Sequence, residues 1–130
     1  MAKELVLREG SSAPGGLTAP RVTVDEVLAR LDRGEQLAFV DARREEEWRI
    51  SSQKLPGAVR LSPEGKEETL PLIAPDRAVV TYCTCAHEAS AARVAEMLMA
   101  RGYKDVHPLH GGFDAWREAG GALEPRTTAR

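Results

Sequence analysis

The sequence has few cysteines, no long apolar run and no excess of basic residues. Its two cysteines, Cys83 and Cys85, are separated by one residue, so a bond between them could not join distant parts of a fold. No apolar run approaches the roughly 20 residues that a membrane helix requires. Residues 1–9 lack the apolar core of a signal peptide. We therefore expect a cytoplasmic chain that does not insert into a membrane.

The charge balance argues against a nucleic-acid partner, since such proteins usually carry a clear basic excess. The 130 residues include 18 basic and 20 acidic side chains, which gives a net charge of −2. With 42% hydrophobic residues, a chain of this length is able to bury one core. The turn-rich composition of its first residues predicts a flexible lead-in over 1–20, followed by one domain over 21–123 and a C-terminal tail over 124–130.

Helix-like and strand-like segments alternate through the predicted domain. Thr23 and Glu26 form a capping box, after which apolar residues repeat with helical spacing until Gly34 provides a left-handed C-cap. The segments that follow are a buried strand over 37–40, a short polar helix over 44–49, a strand over 58–61, a brief helix over 64–73, a strand over 78–83, a helix over 88–101, a strand over 106–109 and a helix over 113–120. This order predicts an α/β fold in which a mostly parallel central sheet has helices on both faces.

Both cysteines follow the best-defined strand and precede a helix, in the segment 82–90 (Tyr-Cys-Thr-Cys-Ala-His-Glu-Ala-Ser). Ligands of parallel sheets bind at the carboxyl ends of the strands. A loop that leads into a helix directs backbone N–H groups toward such a ligand, and the helix dipole favours an anion or a thiolate there. A thiolate could attack sulfane sulfur and carry it as a persulfide. We expect Cys85 to lie in this loop and Cys83 to be the last, buried residue of the strand.

A packing role and a metal site also stay open for the two cysteines. Both could be small core residues, because free cysteine is commonly buried. A zinc site could be assembled from four side chains, namely Cys83, Cys85, His87 and His110. A C-x-C-x-H pattern without a second cysteine pair is a weak metal signal, so we predict neither a metal nor a cofactor.

Several short motifs resemble, in their order and spacing, those of rhodanese-like domains. The D-x-R motif of that family appears as Asp41-Ala42-Arg43, and its acidic and aromatic positions hold Glu47 and Trp48. Its later motifs appear in the family's order as Lys54-Leu55-Pro56-Gly57-Ala58, Val79-Val80-Thr81-Tyr82, Gly102-Tyr103 and the segment from Leu109 to Trp116. The resemblance covers residues 21–123. It implies a sulfurtransferase that takes sulfur from a small sulfur-containing anion or a persulfide and passes it to an acceptor, which could be a protein.

The resemblance also implies roles for individual residues. Counted back from Gly102, the glycine that ends the next helix, the family's usual spacing makes Cys85 the catalytic residue. A longer loop, as in related dual-specificity phosphatases, would give that role to Cys83. The implied substrate-binding residues are the rest of the loop and one basic residue after an earlier strand: Ala86, His87, Glu88, Ala89, Ser90 and Arg43. Arg43 could line the rim of the pocket or form an ion pair with Glu47.

The cysteine loop departs from the usual C-x-x-G-x-[RST] pattern. It lacks the glycine and has neither arginine nor lysine, and Lys54 stands where the family has histidine. Glu88 either brings a negative charge toward an anionic donor, and so acts as an electrostatic brake, or is a first-turn acid that interacts favourably with the helix dipole. The missing basic residue favours the alternative to a sulfurtransferase, a non-catalytic sensing or docking module. A phosphatase is disfavoured because its C-x5-R signature is absent.

Overall fold

A computed structural model describes residues 19–64, 73–84 and 88–126. The helices and strands in chain order are α1 (Val24–Asp32), β1 (Leu37–Asp41), α2 (Glu45–Ile50), β2 (Gln53–Lys54), β3 (Val59–Arg60), β4 (Ala78–Tyr82), α3 (Ala89–Ala100), β5 (Asp105–Pro108), α4 (Gly112–Glu118) and β6 (Glu124–Pro125). The predicted lead-in up to residue 18 and most of the helix predicted over 64–73 lie outside the described residues.

The central sheet has the strand order β3-β1-β4-β5, and every neighbouring pair in it is parallel. Along the central pair, the register runs from Leu37 opposite Ala78 to Asp41 opposite Tyr82. The chain leaves β1 toward one edge of the sheet and leaves β4 toward the other. This arrangement creates a crevice outside the carboxyl ends of β1 and β4, which is the usual ligand position in parallel sheets.

Both faces of the sheet are covered, because successive side chains of a strand point to opposite faces. Phe39 and Val80 pack on one face, in a core to which α1 and α4 contribute. Val40 and Val79 pack on the other face against apolar residues of α3. The predicted α/β architecture with helices on both faces is therefore confirmed.

The first helix begins and ends as its sequence predicts. The Thr23 hydroxyl accepts from the Glu26 N–H at 3.1 Å, and the Glu26 carboxylate accepts from the Thr23 N–H at 2.9 Å. After the helix, Gly34 has φ +86° and donates its N–H to the Leu31 carbonyl. The capping box and the left-handed C-cap are thus both present, and they satisfy backbone groups that the helix leaves unpaired.

A two-stranded antiparallel sheet was not predicted from the sequence. In it, Gln53 lies opposite Pro125 and Lys54 lies opposite Glu124. The following residue, Arg126, donates its backbone N–H to the Ser52 carbonyl at 2.9 Å. Residues 124–126, which the sequence analysis assigned to a tail, are therefore tied to the chain ahead of β3.

The start of α4 is in close contact with the end of β4. Phe113 donates its N–H to the Cys83 carbonyl at 2.9 Å. Gly112 has φ +61°, and a Cβ atom at this position would collide with the same carbonyl oxygen. Only glycine meets both the conformation and the space at this position, so Gly112 fixes α4 against the strand that leads into the cysteine loop.

A buried ion pair lies just beyond the end of β1. The Arg43 guanidinium donates to both carboxylate oxygens of Asp41, the shortest bond being 2.7 Å, and also to the Gln53 carbonyl at 2.9 Å. Only 1% of Arg43 is exposed. Burial lowers the pKa of Arg43, but the hydrogen bonds and charge of Asp41 outweigh burial and raise it above its usual value. The pair is therefore charged and fully enclosed.

Tyr82, at the end of β4, extends this network to the neighbouring strand. Its hydroxyl donates to Asp41 at 2.9 Å and accepts from the Leu55 N–H at 3.3 Å. Burial first, and then the Asp41 charge, raise the pKa of the phenol far above its usual value. The hydroxyl consequently stays protonated at neutral pH and remains a donor to Asp41.

We predict that Gly112→Ala lowers the free energy of unfolding by about 2–4 kcal/mol, because it combines left-handed strain with a backbone collision. Gly34→Ala is the matched control: it has a similar φ of +86°, but nothing lies within 4 Å of the added Cβ. That variant should lose only about 1–2 kcal/mol. Urea unfolding measures both. Equal losses would show that the contact with Cys83 contributes nothing.

We predict that Arg43→Met destabilises the fold by about 3–5 kcal/mol, because it leaves the Asp41 carboxylate buried without its cation. Arg30→Met is the control, since Arg30 pairs with Glu35 at 2.7 Å but both side chains are partly exposed. The control should cost about 1 kcal/mol or less. Urea unfolding of both variants tests the contrast, and a loss below about 1 kcal/mol for Arg43→Met would contradict it.

Candidate active site

The candidate site lies in the crevice at the carboxyl ends of β1 and β4. Cys83 has no exposed surface, which confirms the prediction that it is buried. The prediction that it is the last residue of the strand is wrong by one position, because β4 ends at Tyr82. Cys85, Ala86 and His87 lie outside the residues that the structure describes, so their catalytic and binding roles remain predictions. The description resumes at Glu88, immediately before α3. The two ends of the cysteine loop are thus defined.

Glu88 has an unusual backbone and a buried side chain. Its φ of +54° and ψ of +28° are left-handed, and no other non-glycine residue in the described part of the chain has a positive φ. Its carboxylate accepts from the Gly111 N–H through Oε2 at 3.2 Å. The residue is only 4% exposed. The expectation that Glu88 is a first-turn acid of the helix is wrong, because it precedes the helix and binds groups outside it.

The charge of Glu88 is paired with Arg21, a residue that the sequence analysis did not identify. The Arg21 Nε atom lies 2.7 Å from Glu88 Oε1. This N–H is not aligned for a hydrogen bond, so the contact is an ion pair. Half of the Arg21 side chain is exposed, whereas the carboxylate side chain is buried. No local pattern could have revealed this contact, because it joins residues that are far apart in the sequence.

The backbone next to Arg21 is held beside the loop that carries Gly111. The Val22 N–H donates to the Pro108 carbonyl at 2.9 Å, and the His110 N–H donates to the Val22 carbonyl at 2.8 Å. These bonds extend the parallel pairing of the sheet by one bridge, between Val22 and Leu109. Both groups that contact the Glu88 carboxylate therefore come from one hydrogen-bonded unit.

The remaining predicted loop residues in the described part belong to the start of α3. Ala89 is exposed, whereas Ser90 is 9% exposed. The helix follows a strand of the parallel sheet, so its N-terminus lies at the carboxyl edge, and its first turn contains no acidic residue. The partial positive charge at that end of the helix favours an anion there.

Arg43 lies beneath this site rather than at its rim. Its ion-pair partner is Asp41, not Glu47. Its guanidinium carbon also lies 4.8 Å from the centre of the Phe113 ring, on the helix that contacts Cys83. Arg43 therefore links the loop after β1 to α4, with its charge already balanced.

Three buried side-chain oxygens have no hydrogen-bond partner in the described structure: Thr84 Oγ1, Glu47 Oε1 and Glu88 Oε1, the last of which is ion-paired with Arg21. Thr84 directly precedes Cys85 in the sequence. Glu47 acts on Arg43 through its charge, and raises its pKa as a minor contribution after burial and Asp41. Buried polar atoms are nearly always paired. A hydroxyl and a carboxylate oxygen that lack partners are therefore groups that a bound molecule could engage.

Cations lie at this side of the molecule although the loop itself has no basic residue. Arg60, at the end of β3, donates to the Asp41 carbonyl at 3.2 Å. Its guanidinium carbon lies 4.9 Å from the centre of the Trp48 ring, and that of Arg126 lies 4.2 Å from the same ring. Burial lowers the pKa of Arg60. Trp48 thus packs with two cations, which connects α2 to β3 and to the end of the described chain.

Lys54, which replaces the family's histidine, supports the turn that follows it. Its ammonium group donates to the Ala58 carbonyl at 2.9 Å and lies 3.3 Å from the Glu124 carboxylate. A hydrogen bond from the Gly57 N–H, and then the bond from Lys54, lower the pKa of Glu124. Lys54 therefore has a structural role between β2, β3 and β6.

Within the described ranges, no three histidine, cysteine or acidic side chains come together as metal ligands. Of the four residues considered for zinc, Cys83 is fully buried and His110 is exposed, and the other two lie outside those ranges. No helix in the same ranges is long and apolar enough to cross a membrane.

Comparisons with known proteins agree on one family. The family model of the rhodanese-like domain matches residues 23–119. The probable adenylyltransferase/sulfurtransferase MoeZ of Mycobacterium tuberculosis is 34% identical over 112 residues, which cover 81% of this chain but 25% of that protein. The chain thus spans about a quarter of the length of that relative. The thiosulfate sulfurtransferase GlpE of Shewanella oneidensis is 29% identical over 92 residues, which cover 71% of this chain and 87% of that protein.

A solved structure agrees with these relatives. The rhodanese-like domain protein of Staphylococcus aureus superposes with a TM-score of 0.64 at 26% identity, and the match covers 83% of this chain and 99% of that one. The sheet order, the buried cysteine at the end of β4 and the family match over most of the chain lead to one conclusion. This chain belongs to the rhodanese-like family, and its relatives include sulfurtransferases.

Proposed function

We propose that this protein is a sulfurtransferase that carries sulfane sulfur as a persulfide on Cys85. The observation that carries the proposal is where the connection between β4 and α3 begins and ends: β4 ends at Tyr82 and α3 begins at Ala89, both at the carboxyl edge of the sheet. Cys85 is the cysteine within that connection, whereas Cys83 is buried at its start. The family membership and the names of the relatives support the same chemistry.

The reaction requires two displacements at sulfur. In the first, the Cys85 thiolate attacks the outer sulfur of thiosulfate, a new S–S bond forms, and sulfite leaves with the electron pair of the broken S–S bond. In the second, an acceptor thiolate or other nucleophile attacks the outer sulfur of the persulfide, and the Cys85 thiolate is released. The positive end of the α3 dipole would stabilise the Cys85 thiolate, which is the nucleophile of the first step and the leaving group of the second.

The charges around the crevice support a small anionic or persulfide donor. Asp41 is ion-paired with Arg43, and Glu88 is ion-paired with Arg21, so each of these two carboxylates has a cationic partner. Thiosulfate is the first donor to test because one relative is named a thiosulfate sulfurtransferase. A protein persulfide donor and a protein sulfur acceptor belong to the same proposal. We also propose that the reaction takes place in the cytoplasm.

We predict that purified wild-type protein gains one sulfur atom on Cys85 after exposure to thiosulfate or polysulfide. Cys85→Ser should gain none, because a hydroxyl is not ionised at neutral pH, and Cys83→Ala should still gain one. Intact-protein and peptide mass spectrometry, with a thiosulfate:cyanide assay in parallel, measures this. Sulfur on the Cys85→Ser protein would assign the chemistry elsewhere. No adduct on the wild type from any donor would favour the sensing or docking module.

We also predict that alkylation at neutral pH labels Cys85 before Cys83, since Cys83 has no exposed surface. The measurement is the rate of iodoacetamide labelling at each cysteine, read by peptide mass spectrometry. Labelling of Cys83 should become appreciable only when urea unfolds the protein. Faster labelling of Cys83 under native conditions would contradict the assignment.

A further inference from the structure

We propose that Glu88 is a positioning residue: its carboxylate, held by Arg21 and the Gly111 N–H, fixes the exit of the cysteine loop in a left-handed conformation. This inference rests on the proposed function, because it concerns the loop that contains Cys85. It assigns a role to Arg21, which lies before the first helix and outside the motifs that define the family.

The backbone of Glu88 is the first observation. A left-handed conformation brings the Cβ of any L-residue close to the following carbonyl group, and glycine avoids this cost. Glu88 adopts this conformation, with φ +54° and ψ +28°. A strained residue of this kind persists only where its surroundings hold it. The side chain must therefore compensate for a conformation that glycine would adopt freely.

The contacts of the carboxylate provide that compensation. One oxygen accepts from the Gly111 N–H at 3.2 Å, and the other lies 2.7 Å from Arg21 Nε. Both partners are anchored by the backbone bonds of Val22, and the carboxylate itself is buried. A buried carboxylate is stable only when its charge is paired. Three separate parts of the chain thus meet at Glu88, the last residue before α3.

The pairing also changes the expected electrostatics of the loop. An unpaired Glu88 would oppose thiolate formation and repel thiosulfate, which is the brake considered from the sequence. Arg21 instead supplies a compensating positive charge at 2.7 Å. Neutralising Glu88 should therefore give no acceleration. Replacing it with alanine, which loses the contacts but keeps the left-handed strain, should slow the reaction because the loop exit loses its support.

Three substitutions at Glu88 separate conformation, hydrogen bonding and charge. Glu88→Gln keeps an oxygen that can accept from Gly111. Glu88→Gly loses the carboxylate but adopts the left-handed conformation freely. Glu88→Ala loses the contacts and retains the strain. For Glu88→Gln and Glu88→Gly we expect kcat/KM with thiosulfate to stay within about threefold of wild type. For Glu88→Ala we expect kcat/KM to be roughly tenfold lower, mostly through a lower kcat.

Arg21→Met tests the cation separately. It should slow Cys85 alkylation about threefold, because the buried carboxylate then lacks its positive partner, a modest electrostatic effect. The same substitution in the Glu88→Gln background should have no further effect, since the interaction it removes is already absent. Independent effects of the two substitutions would overturn the pairing as the source of the change.

The experiment measures Cys85 alkylation, sulfur transfer and urea unfolding for wild type and these variants. Alkylation needs no sulfur donor, so it tests the positioning role even if the wild type forms no persulfide and the proposed function fails. The proposal is supported if both Cys85 alkylation and sulfur transfer are faster in Glu88→Gly than in Glu88→Ala. Equal alkylation and transfer rates for Glu88→Ala and Glu88→Gly overturn the proposal. Faster sulfur transfer by Glu88→Gln also overturns it and would support the interpretation of Glu88 as an electrostatic brake. A purely structural role would shift unfolding alone.

Discussion

The architecture around the site depends on one buried interaction, the ion pair between Asp41 and Arg43. A charged pair without solvent is stable only when its remaining donors and acceptors are also satisfied. Tyr82 and the Gln53 carbonyl supply those partners. The pair therefore joins the ends of the two central strands to the segment that begins β2. Because Arg43 also packs on Phe113, the same interaction extends to the helix that contacts Cys83.

The two ends of the cysteine loop are held by different kinds of contact. At its start, backbone contact with Gly112 and Phe113 fixes Cys83 without any charge. At its end, the charged contact with Arg21 holds Glu88. The loop spans two fixed points, and the chemistry proposed for Cys85 depends on how the residues between them use the helix N-terminus. The carboxylates of Asp41 and Glu88 are already paired with Arg43 and Arg21. The loop therefore needs no arginine or lysine of its own to balance them.

Local signals in the sequence predicted most of the fold and only part of the site. Thr23 and Gly34 marked α1 because capping depends on neighbouring residues, and the apolar runs marked β1 and β4 because both faces of the sheet are covered. The strands β2 and β6 were missed, since two-residue strands have no periodicity to detect. The Arg21 contact and the partner of Arg43 were also missed. Both depend on which groups the folded chain brings together, and opposite charges elsewhere in the sequence looked equally suitable.

The bridge at Val22 has a consequence for how this domain can be joined to others. The match to the family begins at residue 23, yet Arg21 and Val22 are already part of the folded unit. A fusion or excision made at the family boundary would retain the sheet, the helices and both cysteines while removing the cation that pairs with Glu88. In a modular protein, the junction ahead of the domain would then determine the chemistry of a loop that is distant in sequence. With the role proposed for Arg21, the functional limit of the domain lies two residues ahead of the start of the family match at residue 23.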